Sequence, residues 1–331
     1  MKLENSIPAL SAVSYIGVDV AKATLQVFSR GQQREIANTS GDYAKLCKDL
    51  KSIAGAHVVC EATGGYERGM VRALHKAEIR VSVVNPARVR ASAQADGQMA
   101  KTDRIDAVMI TAFGRRYNPE PTPEVSKVQA QLCALTQWLK QLIDARAVAK
   151  TQGEHHEDAF VKKQHQVLLN HYQSQIEKVE AKLDALMETD QELRQRAQCL
   201  ESIEGVGMRT ALLMLSNMPE LGQMSRGQAA ALAGLAPWTR ESGTMKGMRF
   251  IGGGRPQVRL ALYMAALTAS RCNPILSPFY QKLIQKGKLP KVALTAVMRK
   301  LLIHMNQKLK VLAAKLPTEI AQEKEKNPCK N

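Results

Sequence analysis

Aromatic residues are scarce in this chain. They make up 4% of its 331 residues, so the hydrophobic fraction of 45% rests on Leu, Ala, Val and Met and points to many packed helices. Cysteine is scattered: Cys47, Cys60, Cys133, Cys199, Cys272 and Cys329 form no CxxC pair, which argues against a structural zinc site and for a reducing cytoplasm. No apolar run is long enough to span a bilayer, and MKLENSIPALSAV lacks the apolar stretch of a secretory signal, so no membrane partner is expected. Acidic residues are missing from one long window. Between Ser242 and Thr318 there is no Asp or Glu, while 14 Lys and Arg lie between Lys246 and Lys315. With a net charge of +17, the chain is suited to a polyanion, and nucleic acid is the obvious one.

A chain of this length is expected to hold two or three domains. Residues 1–14 read as a loose leader. YIGVDV (15–20) and ATLQVFS (23–29) read as a strand hairpin, REIAN (34–38) as a third strand, and DYAKLCKDLKSI (42–53) as a helix. HVVCEA (57–62) and VSVVNP (81–86) are further strands, with a helix opened by Gly64-Gly65 between them. Three strands followed by alternating helix and strand is the order of an RNase H-like α/β fold, here over 15–117. A last helix of this domain starts near Thr102, a residue suited to a cap.

NPEPTPE (118–124) cannot be regular structure and opens a linker and helical arm over 118–199. Tyr172, Ile176, Val179, Leu183, Leu186 and Leu193 follow heptad spacing with Asp190 in the seventh slot. Leu132, Leu135, Leu139 and Leu142 could pair with them as a hairpin. Spacing leaves open whether this coiled-coil arm joins protomers or packs on its own domain. Residues 200–315 read as a mostly α-helical domain. It contains a Gly205-Val206-Gly207 turn, either phosphate-binding or a plain interhelical turn, and a polar glycine-rich loop over 239–255. A disordered polar tail follows over 316–331.

Four carboxylates carry the chemistry. Asp19 and Glu61 each end an apolar, β-branched run, and Asp103 and Asp106 sit three apart in a helical stretch, hence on one side of it. A carboxylate beside strand core positions is costly without a partner. Convergence of the four around a hard divalent cation, Mg²⁺ or Mn²⁺, relieves that cost and builds a phosphodiester-cutting site. Lys101 and Arg104 alternate with the acids and could hold a phosphate backbone. The residues around His155 and His156 (Glu154, Glu157, Asp158) read as solvent-facing rather than as a second metal site. Trp138 and Trp238 read as packing residues.

IGVDVAK, CEATGGYE, KTDRIDA, IEGVGMRTA, GLAPWTRESG and GRPQVRLALY, taken together, resemble the DEDD transposases of insertion-sequence family 110. The resemblance runs from about Tyr15 to Leu312, with no departure at the four acids. It implies a RuvC-like N-terminal domain in which Asp19, Glu61, Asp103 and Asp106 bind Mg²⁺, and a C-terminal transposase domain with a catalytic serine, matching Ser242. It implies DNA as donor and target and guidance by a structured noncoding bridge RNA. It also implies a homo-oligomer, dimer or tetramer, joined by the arm and acting in the cytoplasm on the nucleoid. Arg240, Lys246 and Arg249 flank Ser242, and Arg255 and Arg259 follow, as candidate nucleic-acid contacts. Ser242 has no His beside it in sequence, so a metal or a concentrated positive charge must activate it. The alternative enzyme is a RuvC-type junction nuclease using metal-activated water, and a third reading is an assembly protein without chemistry.

Overall fold

The computed structural model describes residues 13–97, 103–238, 241–242, 245–246 and 250–326, excepting the side chains of 103–105, 241–242, 245–246 and 316–326. The expectations for most of the leader, for Lys101, Thr102, Arg240 and Arg249, and for the end of the tail lie outside the described residues. The chain divides into two compact units, Met1–Val125 and Ser126–Asn331.

The first unit is a mixed sheet with helices on both faces. β1 (Ser14–Val20), β2 (Thr24–Ser29) and β3 (Gln32–Ala37) form an antiparallel meander. After α1 (Ser40–Lys51), β4 (Ala56–Glu61) joins β1 in parallel. After α2 (Arg68–Lys76), β5 (Arg80–Val84) joins β4 in parallel, giving the order β3-β2-β1-β4-β5. The parallel strands are apolar on both faces because both are covered. Ile16, Val18, Val58, Cys60 and Val81 pack with Leu46 and Leu50 of α1 and Met70 and Leu74 of α2. The alternate residues Tyr15, Val59 and Val84 pack on the other side with α3 (Pro86–Ala95) and α4 (Asp103–Tyr117), through Val89, Ile110 and Phe113. Each such buried side chain contributes roughly 1.5–3 kcal/mol.

One local finding differs from the sequence reading and one adds to it. Pro86 does not simply end β5. It is the first residue of α3, and the Asn85 side chain caps that helix by accepting from Ala87 N at 2.9 Å. The proline-rich stretch is also tied down. Thr122 N donates to Val81 O at 2.8 Å, its Oγ1 accepts from Val83 N at 2.8 Å, and Ser82 Oγ donates to Glu120 O at 2.7 Å. Prolines flank Thr122, so its N–H is the donor this short edge segment can offer to β5. Beneath it the buried His57 Nε2 lies 2.8 Å from Ser82 Oγ. Burial, with the nearby Arg80 charge, lowers the His57 pKa and favours the neutral ring.

The second unit is helical. α5 (Lys127–Gly153) and α6 (Ala159–Thr189) form a hairpin, capped by the side chains of Ser126 and Asp158. α7 (Gln191–Glu201), α8 (Met208–Asn217) and α9 (Arg226–Leu232) follow. Four short strands come next: β6 (Pro237–Trp238), β7 (Glu241–Ser242), β8 (Met245–Lys246) and β9 (Phe250–Ile251). α10 (Pro256–Cys272), α11 (Leu276–Gln285) and α12 (Pro290–Lys326) complete the unit. The hairpin shares one core with the rest: Leu132, Leu139, Ile176, Val179, Leu183 and Leu186 cluster with residues of α8, α10 and α12. The heptad spacing therefore describes packing within the unit over Ile176–Leu186, and it does not continue as one helix. Asp190 ends α6 and caps α7 by accepting from Leu193 N at 2.7 Å. Gly205 has a packing reason for its place, since a Cβ there would lie 2.7 Å from Ala269.

Candidate active site

Asp19 and Glu61 are neighbours at one edge of the sheet. Val18 pairs with Cys60 in the parallel β1–β4 ladder, so the next residues on each strand are Asp19 and Glu61. Val18 and Cys60 point into the α1/α2 core. By alternation Asp19 and Glu61 therefore sit on the opposite face, the one α4 covers, and both are half-buried. Helix α4 is pressed hard onto β1 there. A Cβ at Gly17 would lie 2.1 Å from Ala107 O and 2.5 Å from Thr111 Oγ1, so only glycine lets the helix sit so close. Gly17 and Asp19 share a strand face, and Ala107 follows Asp106 directly. The first turn of α4 is thereby brought to the end of β1. Asp106 is half-buried one turn before the buried Ile110. Asp103 begins the helix, where the helix dipole favours an acid.

Side chains that carry no acid to the site hold its loops in place. Asn38 Nδ2 donates to Ala21 O (2.8 Å) and Tyr66 O (3.3 Å), linking the turn after Asp19 to the loop after Glu61. The Tyr43 hydroxyl donates to Asn38 Oδ1 and fixes that amide. Glu67 is 8% exposed, and its carboxylate accepts from Gly65 N (2.9 Å), Thr63 N (3.1 Å) and Thr63 Oγ1 (3.1 Å). It closes the TGG turn, in which Gly64 and Gly65 have φ of 70° and 111°. Cys60 reports the local environment: burial first, then the Glu67 and Glu61 charges, pushes its thiol up to about 12. The sequence reading passed over Gly17, Asn38 and Glu67. The signal within reach was Glu67 in the quoted CEATGGYE motif.

The donors at this edge are all carboxylates, the set that suits a hard divalent ion such as Mg²⁺ or Mn²⁺ rather than zinc. Among the described residues no three His, Cys, Asp or Glu lie close enough to hold a metal. Asp19, Glu61 and Asp106 have the donor type for such an ion and stand at the face that α4 covers, but these three do not meet at one point, and the Asp103 side chain lies outside the described residues. At the tip of the α5–α6 hairpin, Asp158 is engaged as the α6 cap, and His156 packs edge-on against His165 at 5.3 Å.

Ser242 lies in the second unit. Within the glycine-rich stretch the described residues form two short ribbons. Pro237 and Trp238 pair with Ile251 and Phe250, and inside them Glu241 and Ser242 pair with Lys246 and Met245. The Ser242 backbone thus ends a strand at the inner ribbon, while its side chain and those of Arg104 and Lys246 are outside the described residues. The base of the outer ribbon is clasped. Arg255 N donates to Leu232 O at 2.8 Å, and Gly254 passes so close to Gly234 that a Cβ would lie 2.2 Å from Gly234 N.

Arg255 and Arg259 serve that clasp. Arg255 makes a two-pronged pair with Glu220 (2.7 and 2.8 Å) and donates to Asn217 O at 2.7 Å. Burial works to raise the Glu220 carboxyl, but the Arg255 bonds prevail and its pKa is lowered. Arg259 donates to Gly253 O at 2.6 Å. Trp138 and Trp238 are not packing residues: they are 50% and 64% exposed. Among the described residues no helix is long and apolar enough to cross a membrane.

A mixed α/β unit with carboxylates at one sheet edge, followed by a basic helical unit, is the build of an enzyme that works on nucleic acid, and the comparisons give it a family. A profile of transposases of the IS110 DEDD type matches residues 16–156, and one of the transposase IS116/IS110/IS902 family matches residues 197–281. The first spans the four acids and the second spans Ser242. The chain is 28% identical over 306 residues to the pilin gene-inverting protein of Moraxella lacunata, covering 87% of this chain and 93% of that one. The Moraxella bovis protein of the same description is 28% identical over 305 residues with the same shares. The insertion element IS110 uncharacterized 43.6 kDa protein of Streptomyces coelicolor is 30% identical over 140 residues, covering 42% of this chain and 32% of that one. The class is that of a DNA-recombining enzyme. The chain belongs to the IS110 family of transposases.

Proposed function

We propose that this transposase cuts and rejoins DNA through a covalent serine step that depends on the acidic site. The observation that carries the reading is the seat of α4 on Gly17, which brings the helix bearing Asp103 and Asp106 to the strand ends bearing Asp19 and Glu61. The strand order β3-β2-β1-β4-β5 supports an RNase H-like fold of the RuvC type for the first unit. Asp19, Glu61, Asp103 and Asp106 would hold Mg²⁺ or Mn²⁺. Such an ion, when bound, neutralises charge on the scissile phosphate and lowers the pKa of a bound hydroxyl.

Ser242 Oγ gives up its proton and forms the new bond to phosphorus, the bond from phosphorus to one deoxyribose oxygen breaks, and that oxygen leaves as a hydroxyl by taking up a proton in exchange. Rejoining reverses the exchange: a strand hydroxyl attacks the phosphoserine, and Ser242 regains its proton. The pilin gene-inverting relatives, by their description, rearrange DNA, which agrees with a reaction that conserves phosphodiester bonds. A structured noncoding RNA from the element pairs with donor and target DNA and supplies sequence choice. The basic surface holds backbone. The active form is a homo-oligomer, and it works in the cytoplasm on the nucleoid.

Trapping tests this. The protein is mixed with its element's RNA, donor and target DNA and Mg²⁺, quenched in denaturant and examined for DNA attached to protein. An adduct mapped to Ser242, absent in Ser242→Ala and in Asp103→Ala, is expected. Cleavage without adduct that survives Ser242→Ala would sink the serine step and leave a water-using nuclease. No cleavage under any condition would leave a binding protein.

A further inference from the structure

Aromatic rings are few in this chain, with two Trp and five Phe, and Phe113 is buried at 2% as a core ring should be. Trp238 and Phe250 behave differently. They are 64% and 55% exposed, and they stand directly opposite one another in the β6–β9 ribbon. Residues paired across a ladder project from the same face, so two rings rise side by side from the outer ribbon, between whose strands the Ser242 ribbon lies in sequence. With two residues per strand the ribbon has no core for them to fill. Its fold is secured instead at the base, by the Gly234–Gly254 approach and by the Arg255 and Arg259 bonds.

We infer that Trp238 and Phe250 form a stacking platform for an unpaired nucleobase of the DNA strand handled at this ribbon. Charge chooses this occupant over a protein or an apolar ligand. Arg240, Lys246 and Arg249 lie between the two rings in sequence with a single acid, Glu241, and no acid follows from Ser242 to Thr318. Cations that attract phosphate next to ring faces that stack bases are the pairing by which proteins hold single strands. Every base offers a π-face, so the platform adds affinity for an opened strand without choosing sequence, which fits a protein whose sequence choice lies elsewhere. A strand that is cut and exchanged must leave its duplex locally, and the platform would hold a base in that state. The inference rests on the DNA-recombining reading but not on Ser242 as nucleophile.

The chain has two tryptophans, so Trp138→Phe leaves Trp238 as the sole emitter. Full-length protein carrying that change is titrated with a short single-stranded DNA and with a duplex of the same sequence. Saturable quenching by the single strand is expected. Read by the anisotropy of dye-labelled DNA, which needs no tryptophan, Trp238→Ala and Phe250→Ala each weaken single-strand binding about fivefold or more. Trp238→Phe recovers most of the loss, and duplex affinity and thermal unfolding stay unchanged because both rings are exposed. Ser242→Ala keeps the quenching, so failure of the serine step would leave the platform standing. Unchanged single-strand affinity in both alanine variants, with adduct formation intact, would overturn the platform and spare the serine step. Tighter binding and stronger quenching by single-stranded RNA than by DNA would also overturn it.

Discussion

The two units position their proposed reactive residues by opposite means. In the first, the acids stand on long elements buried on both faces: Asp19 and Glu61 end parallel strands, and α4 is keyed to β1 by the close contact at Gly17. In the second, Ser242 stands on a two-residue strand, and the order of its surroundings comes from a clasp of backbone, glycine and arginine at the ribbon's base. The difference suits the two tasks. Carboxylates that share an ion must be held at fixed separation, and packed elements do this best. The proposed nucleophile stands instead on a short ribbon secured at its base.

The sharpest break of this contrast removes ligands. Asp19→Asn and Asp106→Asn should each lower strand cleavage about a thousandfold or more, since several kcal/mol of transition-state stabilisation go with the ion. A gel assay for cleavage beside calorimetry separates loss of the ion from loss of stability. Next come the two glycines. Gly17→Ala overpacks α4 against β1 and should destabilise the first unit by about 1–3 kcal/mol. Cleavage should fall with it although no acid has changed. Gly254→Ala, at φ 61° and 2.2 Å from Gly234 N, should disturb the ribbon, lowering adduct yield while leaving divalent-ion affinity unchanged. A drop in ion affinity in that variant would erase the distinction between the units.

Smaller effects sharpen the same picture. Glu67→Ala leaves the Thr63 and Gly65 N–H groups without their acceptor and should cost about 1–3 kcal/mol in denaturant unfolding. The Glu220–Arg255 pair is pH-dependent. The folded Glu220 pKa lies below its ordinary value near 4.5, so its contribution is present above that pH and is lost as pH falls through the lowered value. Parent protein should therefore lose stability over the Gln variant, Glu220→Gln, only on acidification below about pH 4.5.

Much of the first unit was readable in the sequence, because β-branched runs, turn residues and one amphipathic helix announce themselves by period. The placement of Asp19 and Glu61 was readable for the same reason, as polar residues ending apolar strands. Gly17 was not, since its role lies in the approach of a helix ninety residues away in sequence, roughly, and no local pattern carries that. α3 was hidden because Pro86 has two meanings, strand end and first helical residue, and the Asn85 cap decides between them. The heptad spacing was right and its continuity wrong: Asp190 falls in register yet breaks the helix by capping α7. The ribbons of 237–251 are too short for any period, so Trp238 read as a packing residue. The role proposed for Ser242 comes from resemblance, because a serine among arginines and glycines is ordinary turn chemistry until a family is recognised.

The most direct test of the account is a Mn²⁺ titration followed by electron paramagnetic resonance, on parent protein and on Asp19→Asn, Glu61→Gln, Asp106→Asn and Gly17→Ala. The account predicts saturable binding by the parent, weakened about tenfold or more in each variant, Gly17→Ala included, since the seat of α4 sets the ligand geometry. Equal affinity in all five proteins would contradict it, because the acids would then stand at one sheet edge without sharing an ion.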